Sequence, residues 1–315
     1  MSTPGCPTLD TAPTVHHPVT AANKKPAENP GRFTRGEGPA VVFVHGALVN
    51  ADLWRKVVPG LADAGVRCVA PDWPLGSHEV PVPEMDLSPP GLAGIIAEFL
   101  ERLDLHEVTL VANDTGGGLT QVLMATMPDR VARVVLTPSD SFERFFPPLF
   151  AYLPVLARVP GGLWILTRVA TWPLVQRLPF GMAALTKHGV PRDMVRSWMS
   201  AGRRDPAVRA DMGRFLRQVD RRHTVAAAEA LRTFDRPVLL AWATEDRVFP
   251  ISLAHRLVQR LPHGHIEGID DSFTFVPEDQ PDRLVDLILE FLHAHQAFAS
   301  TSRTSDPSDA EAQPG

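Results

Sequence analysis

A series of short apolar runs, nearly free of polar interruptions, constrains the fold of this chain more than any other sequence feature. These runs occupy residues 39–44, 67–70, 107–112, 131–136 and 237–242, with a weaker one at 265–269. Continuous rather than alternating runs predict parallel strands buried on both faces. Helical patterns at 87–105, 117–127, 252–261 and 280–293 separate them. This order predicts an α/β fold with a mostly parallel, doubly wound sheet.

The alternation of strands and helices stops between residues 141 and 234. That segment has apolar and aromatic residues at helical spacings, several prolines and no convincing strand. It is too long for a loop within a compact domain, so we predict a helical cap inserted into a core made of residues 31–140 and 235–297. Such a cap would cover the carboxyl ends of the strands, where open parallel sheets bind ligands. Residues 1–30 and 298–315 are compositionally biased, and we predict disordered ends.

Composition and charge argue against several classes of partner. The net charge is −5 and the chain has no basic stripe, so a nucleic acid partner is not expected. No apolar run reaches the roughly 18 residues of a membrane span, so we expect no membrane partner. The N-terminus lacks the apolar core of a signal peptide, which predicts a cytoplasmic location. Cys6 and Cys68 suggest no disulfide framework. No metal or cofactor motif is present, so we expect a small-molecule substrate and no cofactor; the oligomeric state is left open.

The sharpest motif follows the third predicted strand and reads Ala112-Asn113-Asp114-Thr115-Gly116. It has the form small–x–nucleophile–x–Gly of a nucleophile elbow, in which small flanking residues let the strand and helix backbones approach. The motif predicts that Asp114 projects its carboxylate above the sheet from a strained turn. The alternative is that Asp114 merely caps the following helix.

A second motif, His45-Gly46-Ala47, follows the first strong strand. Gly46 permits a tight turn, and the amide of Ala47 could then serve with the amide of Thr115 as an oxyanion hole. Alone, the pair His-Gly is equally compatible with an ordinary strand-to-loop turn.

A third motif, Glu245-Asp246 within residues 241–250, follows the penultimate strand. An acid at this place usually orients a catalytic histidine, and we favour Asp246 over Glu245. The alternative is a helix cap entered through Pro250.

Together these motifs resemble the α/β-hydrolase superfamily over about residues 31–295, apart from the variable cap. An aspartate in the elbow followed by x-Gly-Gly is most similar to the haloalkane dehalogenase and epoxide hydrolase branch. The resemblance implies that Asp114 attacks carbon to form an ester, which a water activated by histidine would hydrolyse.

The sequence departs from that branch at several positions. Thr274 stands where the superfamily pattern places the catalytic histidine, in Phe273-Thr274-Phe275-Val276-Pro277-Glu278, and threonine is not a useful base. The tryptophan and asparagine that hold halide in dehalogenases of this type are Thr115 and Ala47 here. Epoxide hydrolases of the branch need two cap tyrosines, whereas Tyr152 is the only tyrosine in this chain.

Other residues could supply the missing base or acid. We expect His78 at the pocket rim as an alternative base, and the remaining candidates are His188, His223, Asp140, Asp270 and Asp271. Asp270 or Asp271 could form a carboxylate pair with Asp246 or Asp114 that raises one pKa.

The sequence therefore predicts a hydrolase that acts on a small, mainly apolar substrate. Asp114 would be the nucleophile, Asp246 its supporting acid, and Ala47 and Thr115 the oxyanion amides, with an impaired second step. The alternative is a non-hydrolytic member of the fold: a lyase, a cyclase or a ligand-binding protein.

Overall fold

The computed structural model describes residues 33–178 and 180–295. They form a seven-stranded sheet in the order β1-β3-β2-β4-β5-β6-β7, in which β1 pairs antiparallel with β3 and the other pairs are parallel. The strands are β1 (Phe33–Arg35), β2 (Ala40–Val44), β3 (Arg67–Ala70), β4 (Val108–Asp114), β5 (Val131–Ser139), β6 (Val238–Ala243) and β7 (Gly264–Ile269). The predicted disordered ends, and Cys6, lie outside the described residues.

Twelve α-helices lie within the described ranges. Those of the core are α1 (Val58–Asp63), α2 (Pro89–Arg102), α3 (Thr115–Thr126), α10 (Ile251–Val258), α11 (Val276–Asp279) and α12 (Pro281–Ala294). Between β5 and β6 come α4 (Tyr152–Leu156), α5 (Gly162–Val169), α6 (Pro173–Gln176), α7 (Arg192–Arg204), α8 (Pro206–Gln218) and α9 (Arg221–Ala230). In the core α1 packs with α12, and α3 packs with α2.

The predicted α/β architecture is confirmed, and all six predicted strands are present. Every residue of β4 is buried, as expected for a central parallel strand covered on both faces. β4 and β5 extend further at their carboxyl ends than predicted, because pairing between Asp114 and Ser139 continues the ladder into polar sequence. The sequence missed β1, a three-residue edge strand, and α1, whose Pro59 and Gly60 weaken the helical pattern.

In the described residues, the segment between β5 and β6 consists of helices with short connections. Its one isolated β-bridge joins Ser141 to Arg144. α4 and α5 both contact α8, and α5 also contacts α7. The segment is fastened to the loop between β7 and α11: the Phe275 amide donates to the carbonyl of Leu185 at 2.7 Å. No helix in the described ranges is long and apolar enough to cross a bilayer.

Candidate active site

Asp114 occupies a strained turn between β4 and α3. Its backbone has φ 54° and ψ −129°, a conformation that non-glycine residues rarely adopt. The turn is possible because Gly116 lies against β2: a Cβ there would stand 2.4 Å from the Val44 carbonyl oxygen. The predicted strained turn is thus confirmed. The side chain makes no capping hydrogen bond to α3, which argues against the helix-cap alternative.

The Asp114 carboxylate lies over the loop that follows β2. A Cβ on Gly46 would stand 2.1 Å from Asp114 Oδ2, so only glycine leaves room for this carboxylate. The backbone amides of Thr115 and Ala47, the two predicted oxyanion donors, lie beside this carboxylate and lower its pKa. Burial nevertheless outweighs these amides and, with repulsion from Asp246, raises the pKa of Asp114 to about 7.

Asp246 is held by three donors in a buried position. Its Oδ1 accepts the amides of Val248 and Phe249 at 2.7 and 3.0 Å, and its Oδ2 accepts the Thr274 hydroxyl at 2.8 Å. Burial raises the pKa of Asp246 to about 6 despite these bonds. Thr274 thus makes the contact with Asp246 that the sequence predicts for the histidine position.

Thr274 is also tied to the elbow. Its carbonyl accepts the Asn113 side-chain amide at 2.7 Å, and Asn113 directly precedes Asp114. The same amide nitrogen reaches the Thr137 hydroxyl at 2.8 Å. Asn113 was assigned no role from the sequence; in the structure it links the elbow to the loop that carries Thr274.

A third buried carboxyl, Asp140, flanks the elbow on its other side. Its Oδ2 accepts the Thr115 hydroxyl at 3.1 Å, and its backbone amide donates to the Asp114 carbonyl at 3.3 Å. Burial, followed by repulsion from Asp114, raises the pKa of Asp140 well above its usual range. Three carboxyls and two threonine hydroxyls surround the elbow.

The histidines considered as replacement bases have other partners. His78 is buried rather than at a rim, and its Nε2 lies 3.2 Å from Asp211 Oδ2 on α8. Burial lowers the pKa of His78. His188 lies 2.9 Å from Asp271 at the surface, and His223, on α9, lies beside Arg222.

His45 is a structural residue, although it opens the His-Gly motif. Its Nε2 accepts the Trp73 amide at 2.9 Å and its Nδ1 lies 2.9 Å from the Gly46 carbonyl. Burial lowers the pKa of His45 to about 4. With both ring nitrogens engaged, the neutral imidazole fixes the loop that presents Ala47.

The other acids near the third motif are directed away from Asp246. The Glu245 carboxylate is exposed and pairs with Lys187 at 2.7 Å. The expected carboxylate pairing of Asp270 or Asp271 with Asp246 is wrong: Asp270 accepts the Thr244 hydroxyl, and Asp271 pairs with Lys187 and His188. Cationic partners at the surface are available to these acids, whereas Asp246 is enclosed.

Sequence reasoning missed Asp279, which fastens the segment between β5 and β6 to the core. Its carboxylate accepts the Thr186 hydroxyl at 2.6 Å and the amides of Lys187, His188 and Phe273 at 2.8, 3.0 and 3.0 Å. The sequence signal that could have identified Asp279 was its position in the string Pro277-Glu278-Asp279, just before a helix. The Asp279 carboxylate thus connects the segment before α7 with the loop that carries Thr274.

A cavity of about 220 Å³ lies within the segment between β5 and β6. Its lining comprises Pro173, Gln176, Arg177, Met182, Ala183, Thr186, Gly189, Val190 and Arg192. Asp114 is not among these residues, so this cavity is separate from the elbow, and the predicted apolar pocket beside Asp114 stays a prediction.

Known proteins resemble this chain in sequence and in structure. The profile of the alpha/beta hydrolase fold family matches residues 39–280. Haloalkane dehalogenase 2 of Mycobacterium tuberculosis is 28% identical over 269 residues, covering 81% of this chain and 88% of the relative. A cis-3-alkyl-4-alkyloxetan-2-one decarboxylase of Shewanella oneidensis is 24% identical, covering 87% and 88%.

Among solved structures, an alpha/beta hydrolase fold protein from Burkholderia ambifaria superposes with a TM-score of 0.69. It is 20% identical, and the match covers 82% of this chain and 93% of that one. At this identity the likeness concerns the fold.

Proposed function

Because this chain belongs to the alpha/beta hydrolase fold family, whose profile matches residues 39–280, we propose that it is an enzyme in which Asp114 attacks an electrophilic carbon of a small, mainly apolar substrate. A carboxylate oxygen of Asp114 forms a bond to carbon, and the leaving group departs with its electron pair. The product of this step is an ester on the protein.

One observation carries this proposal: a buried carboxylate on a strained turn, with the amides of Ala47 and Thr115 directed at it. The backbone strain at Asp114 is costly for stability, and a helix cap does not need it. The two amides would stabilise negative charge that develops on an ester carbonyl oxygen in a later step.

The second step of a hydrolytic cycle lacks its usual base. A water that attacks the ester must lose a proton, and the Thr274 hydroxyl, a donor to Asp246, cannot accept it near neutral pH. Hydrolysis would then depend on unassisted water or on a buried carboxylate. We therefore expect the ester at Asp114 to accumulate.

The residues around the elbow limit which leaving groups Asp114 could displace. The M. tuberculosis relative is a haloalkane dehalogenase, but the two positions that hold halide in that branch are Thr115 and Ala47 here. An epoxide would require proton donation from the cap, and the hydroxyl of Tyr152 instead donates to the Phe180 carbonyl at 3.1 Å. These observations favour a substrate that carries its own stabilised leaving group.

A strained lactone meets that requirement and provides a second candidate function, a decarboxylating lyase. If Asp114 attacks the ring carbon bonded to the lactone oxygen, the ring opens to a free carboxylate. Loss of CO2 then pushes electrons into a carbon–carbon double bond and expels the Asp114 carboxylate. The atoms balance without water and without a base. This route is therefore compatible with a threonine, Thr274, at the histidine position. The S. oneidensis relative is a decarboxylase of oxetan-2-ones, which are such lactones.

Intact-protein mass spectrometry with three probes tests these proposals: a primary alkyl bromide, a terminal epoxide and a 3,4-dialkyl oxetan-2-one. The first proposal predicts a stoichiometric adduct that peptide mapping places on Asp114 and that the Asp114→Asn variant lacks. The lyase proposal predicts an alkene and CO2 from the lactone with no lasting adduct.

Two outcomes would contradict the proposals. An adduct of equal yield in the Asp114→Asn variant would remove Asp114 from the chemistry. If none of the three probes gave an adduct or a product, a nucleophilic role for Asp114 toward these substrate classes would be wrong.

A further inference from the structure

The segment from residue 144 to residue 192 contains no aspartate or glutamate. Its charged residues are the cations Arg144, Arg158, Arg168, Arg177, Lys187 and Arg192. The protein as a whole has a net charge of −5. Lys187 is paired with Glu245 and Asp271, so the positive charge that this segment leaves without a carboxylate partner is carried by its arginines.

The same segment exposes an unusual amount of apolar side chain. Trp164 and Trp172 are 50% and 59% exposed, and Leu174 is 74% exposed. Tyr152 and Phe180 pack edge to face with ring centroids 6.2 Å apart, and adjoining exposed apolar groups of this kind mark interaction surfaces. We call the following exposed residues the cap patch: Tyr152, Val155, Val159, Trp164, Ile165, Trp172, Leu174 and Phe180.

The packing of α5 explains why its aromatic side is left open. Leu163 lies against Gly213 of α8, and Thr167 lies against Gly202 of α7; a Cβ on either glycine would come within 3.2 Å of these side chains. Trp164 and Ile165 project from the other side of the helix, and both are exposed. The enzyme core is on the side of α7 and α8, so this part of the patch points away from it.

Arginines are interleaved with the cap patch and keep their charge available. Arg168 lies over the Trp164 ring with its guanidinium carbon 3.8 Å from the ring centroid. Arg158 and Arg168 donate to the carbonyls of Pro154 and Trp164, respectively. Among the described residues, no carboxylate lies within ion-pair distance of Arg158, Arg168 or Arg177.

We propose that the cap patch docks on the surface of an anionic lipid bilayer. Tryptophan and tyrosine favour the boundary between headgroups and acyl chains. Arginine can lay its apolar stem along the acyl region while its guanidinium contacts lipid phosphates. The helices of the patch are short and would lie in the interface without crossing it, which is compatible with the lack of a spanning helix in the described ranges.

The charge distribution favours lipid over a second copy of the chain. A symmetric dimer through the cap patch would place Arg158, Arg168 and Arg177 of both copies at one interface, and the segment supplies no acid to pair with them. An anionic surface satisfies these charges. The sequence alone led us to expect no membrane partner; this proposal departs from that expectation and does not depend on the chemistry at Asp114.

The tryptophans make the proposal directly measurable. The chain has six, of which Trp54, Trp73, Trp198 and Trp242 are at most 4% exposed. The other two, Trp164 and Trp172, both belong to the cap patch. Quenching of fluorescence by brominated lipid therefore reports on this patch alone.

The full-length protein is mixed with vesicles of phosphatidylcholine, with or without 30% phosphatidylglycerol, and bound protein is measured by flotation. We expect binding to the anionic vesicles that weakens with added salt, together with quenching by brominated lipid. The Trp164→Ser/Trp172→Ser variant should bind about tenfold more weakly for each tryptophan lost. Arg168→Gln and Arg177→Gln should each weaken binding about fivefold.

Matched controls are Val80→Ser and Arg232→Gln, which replace an exposed apolar residue and an exposed arginine outside the patch. Their binding should equal that of the native protein, and the urea midpoints of all variants should agree. Absence of vesicle binding, or equal binding by the double tryptophan variant, overturns the proposal. A concentration-dependent dimer that the double tryptophan variant loses, without vesicle binding, also overturns it and assigns the patch to a second copy.

Discussion

Replacing Asp114 with asparagine should make the protein more stable at neutral and alkaline pH, and the gain should itself depend on pH. Burial raises the pKa of Asp114 from 3.8 to about 7. The folded protein therefore binds this proton more tightly than the unfolded chain does, and its stability falls as pH rises from about 4 to about 7. Asparagine cannot ionise, so the variant avoids this loss while keeping nearly the same side-chain shape beside the Ala47 and Thr115 amides.

The size of the effect follows from the pKa displacement. At about 1.4 kcal/mol per pKa unit, the change from 3.8 to about 7 corresponds to about 4 kcal/mol. For Asp246→Asn, whose carboxyl has a pKa raised to about 6, the same reasoning gives about 3 kcal/mol. Loss of the Asp114 charge also eases ionisation of Asp140, whose pKa that charge raises, and this adds to the gain in the Asp114→Asn variant.

Urea denaturation at pH steps from 4 to 8 measures this directly. The free energy of unfolding of Asp114→Asn minus that of the native protein should rise with pH and level off just above pH 7. Asp235→Asn, which removes an exposed carboxylate outside the site, is the control for the general effect of losing a negative charge. Parallel curves for Asp114→Asn and the native protein would refute the assignment of a desolvated carboxyl to this turn.

Four further predictions concern the elbow and the residues considered as its base. Adduct formation at Asp114 should accelerate with rising pH and reach a plateau above about pH 7, because only the carboxylate attacks; a rate independent of pH between 5 and 8, measured by intact mass, would contradict this. Thr274→His should increase turnover of an alkyl halide or activated ester by roughly 10²–10⁴-fold and shorten the lifetime of the adduct, and unchanged turnover in a folded variant would argue that another group is already the base. Gly46→Ala should reduce adduct formation at least about tenfold, because its Cβ would occupy the place of Asp114 Oδ2, whereas His78→Gln should leave the adduct yield unchanged and lower stability by about 1–3 kcal/mol.

Much of the fold could be read from the sequence because strand and helix patterns are local. The six apolar runs became six strands, and the elbow motif placed Asp114 at the end of β4. β1 could not be predicted in this way, because Phe33-Thr34-Arg35 has no apolar run and becomes a strand only through pairing with β3.

Positions in the candidate site could be predicted where a local motif determines the backbone. Side-chain pairings could not be predicted where the partner lies far away in the sequence. Thr274 could be placed opposite Asp246 from its register with Pro277 and Glu278. His78 pairs with Asp211, and Asp271 pairs with Lys187. Asp211 and Lys187 both belong to the segment between β5 and β6. No local pattern encodes such pairings.

By itself the sequence determined the order of strands and helices, the elbow with its aspartate, and the replacement of the usual histidine by Thr274. Only the tertiary structure decided which groups titrate near neutral pH and which surface is left open. Desolvation depends on everything that packs around Asp114, Asp140 and Asp246, and exposure of Trp164 and Trp172 depends on which side of each helix the core covers. These are sums over contacts between residues far apart in the chain, so they exist only once the chain has folded.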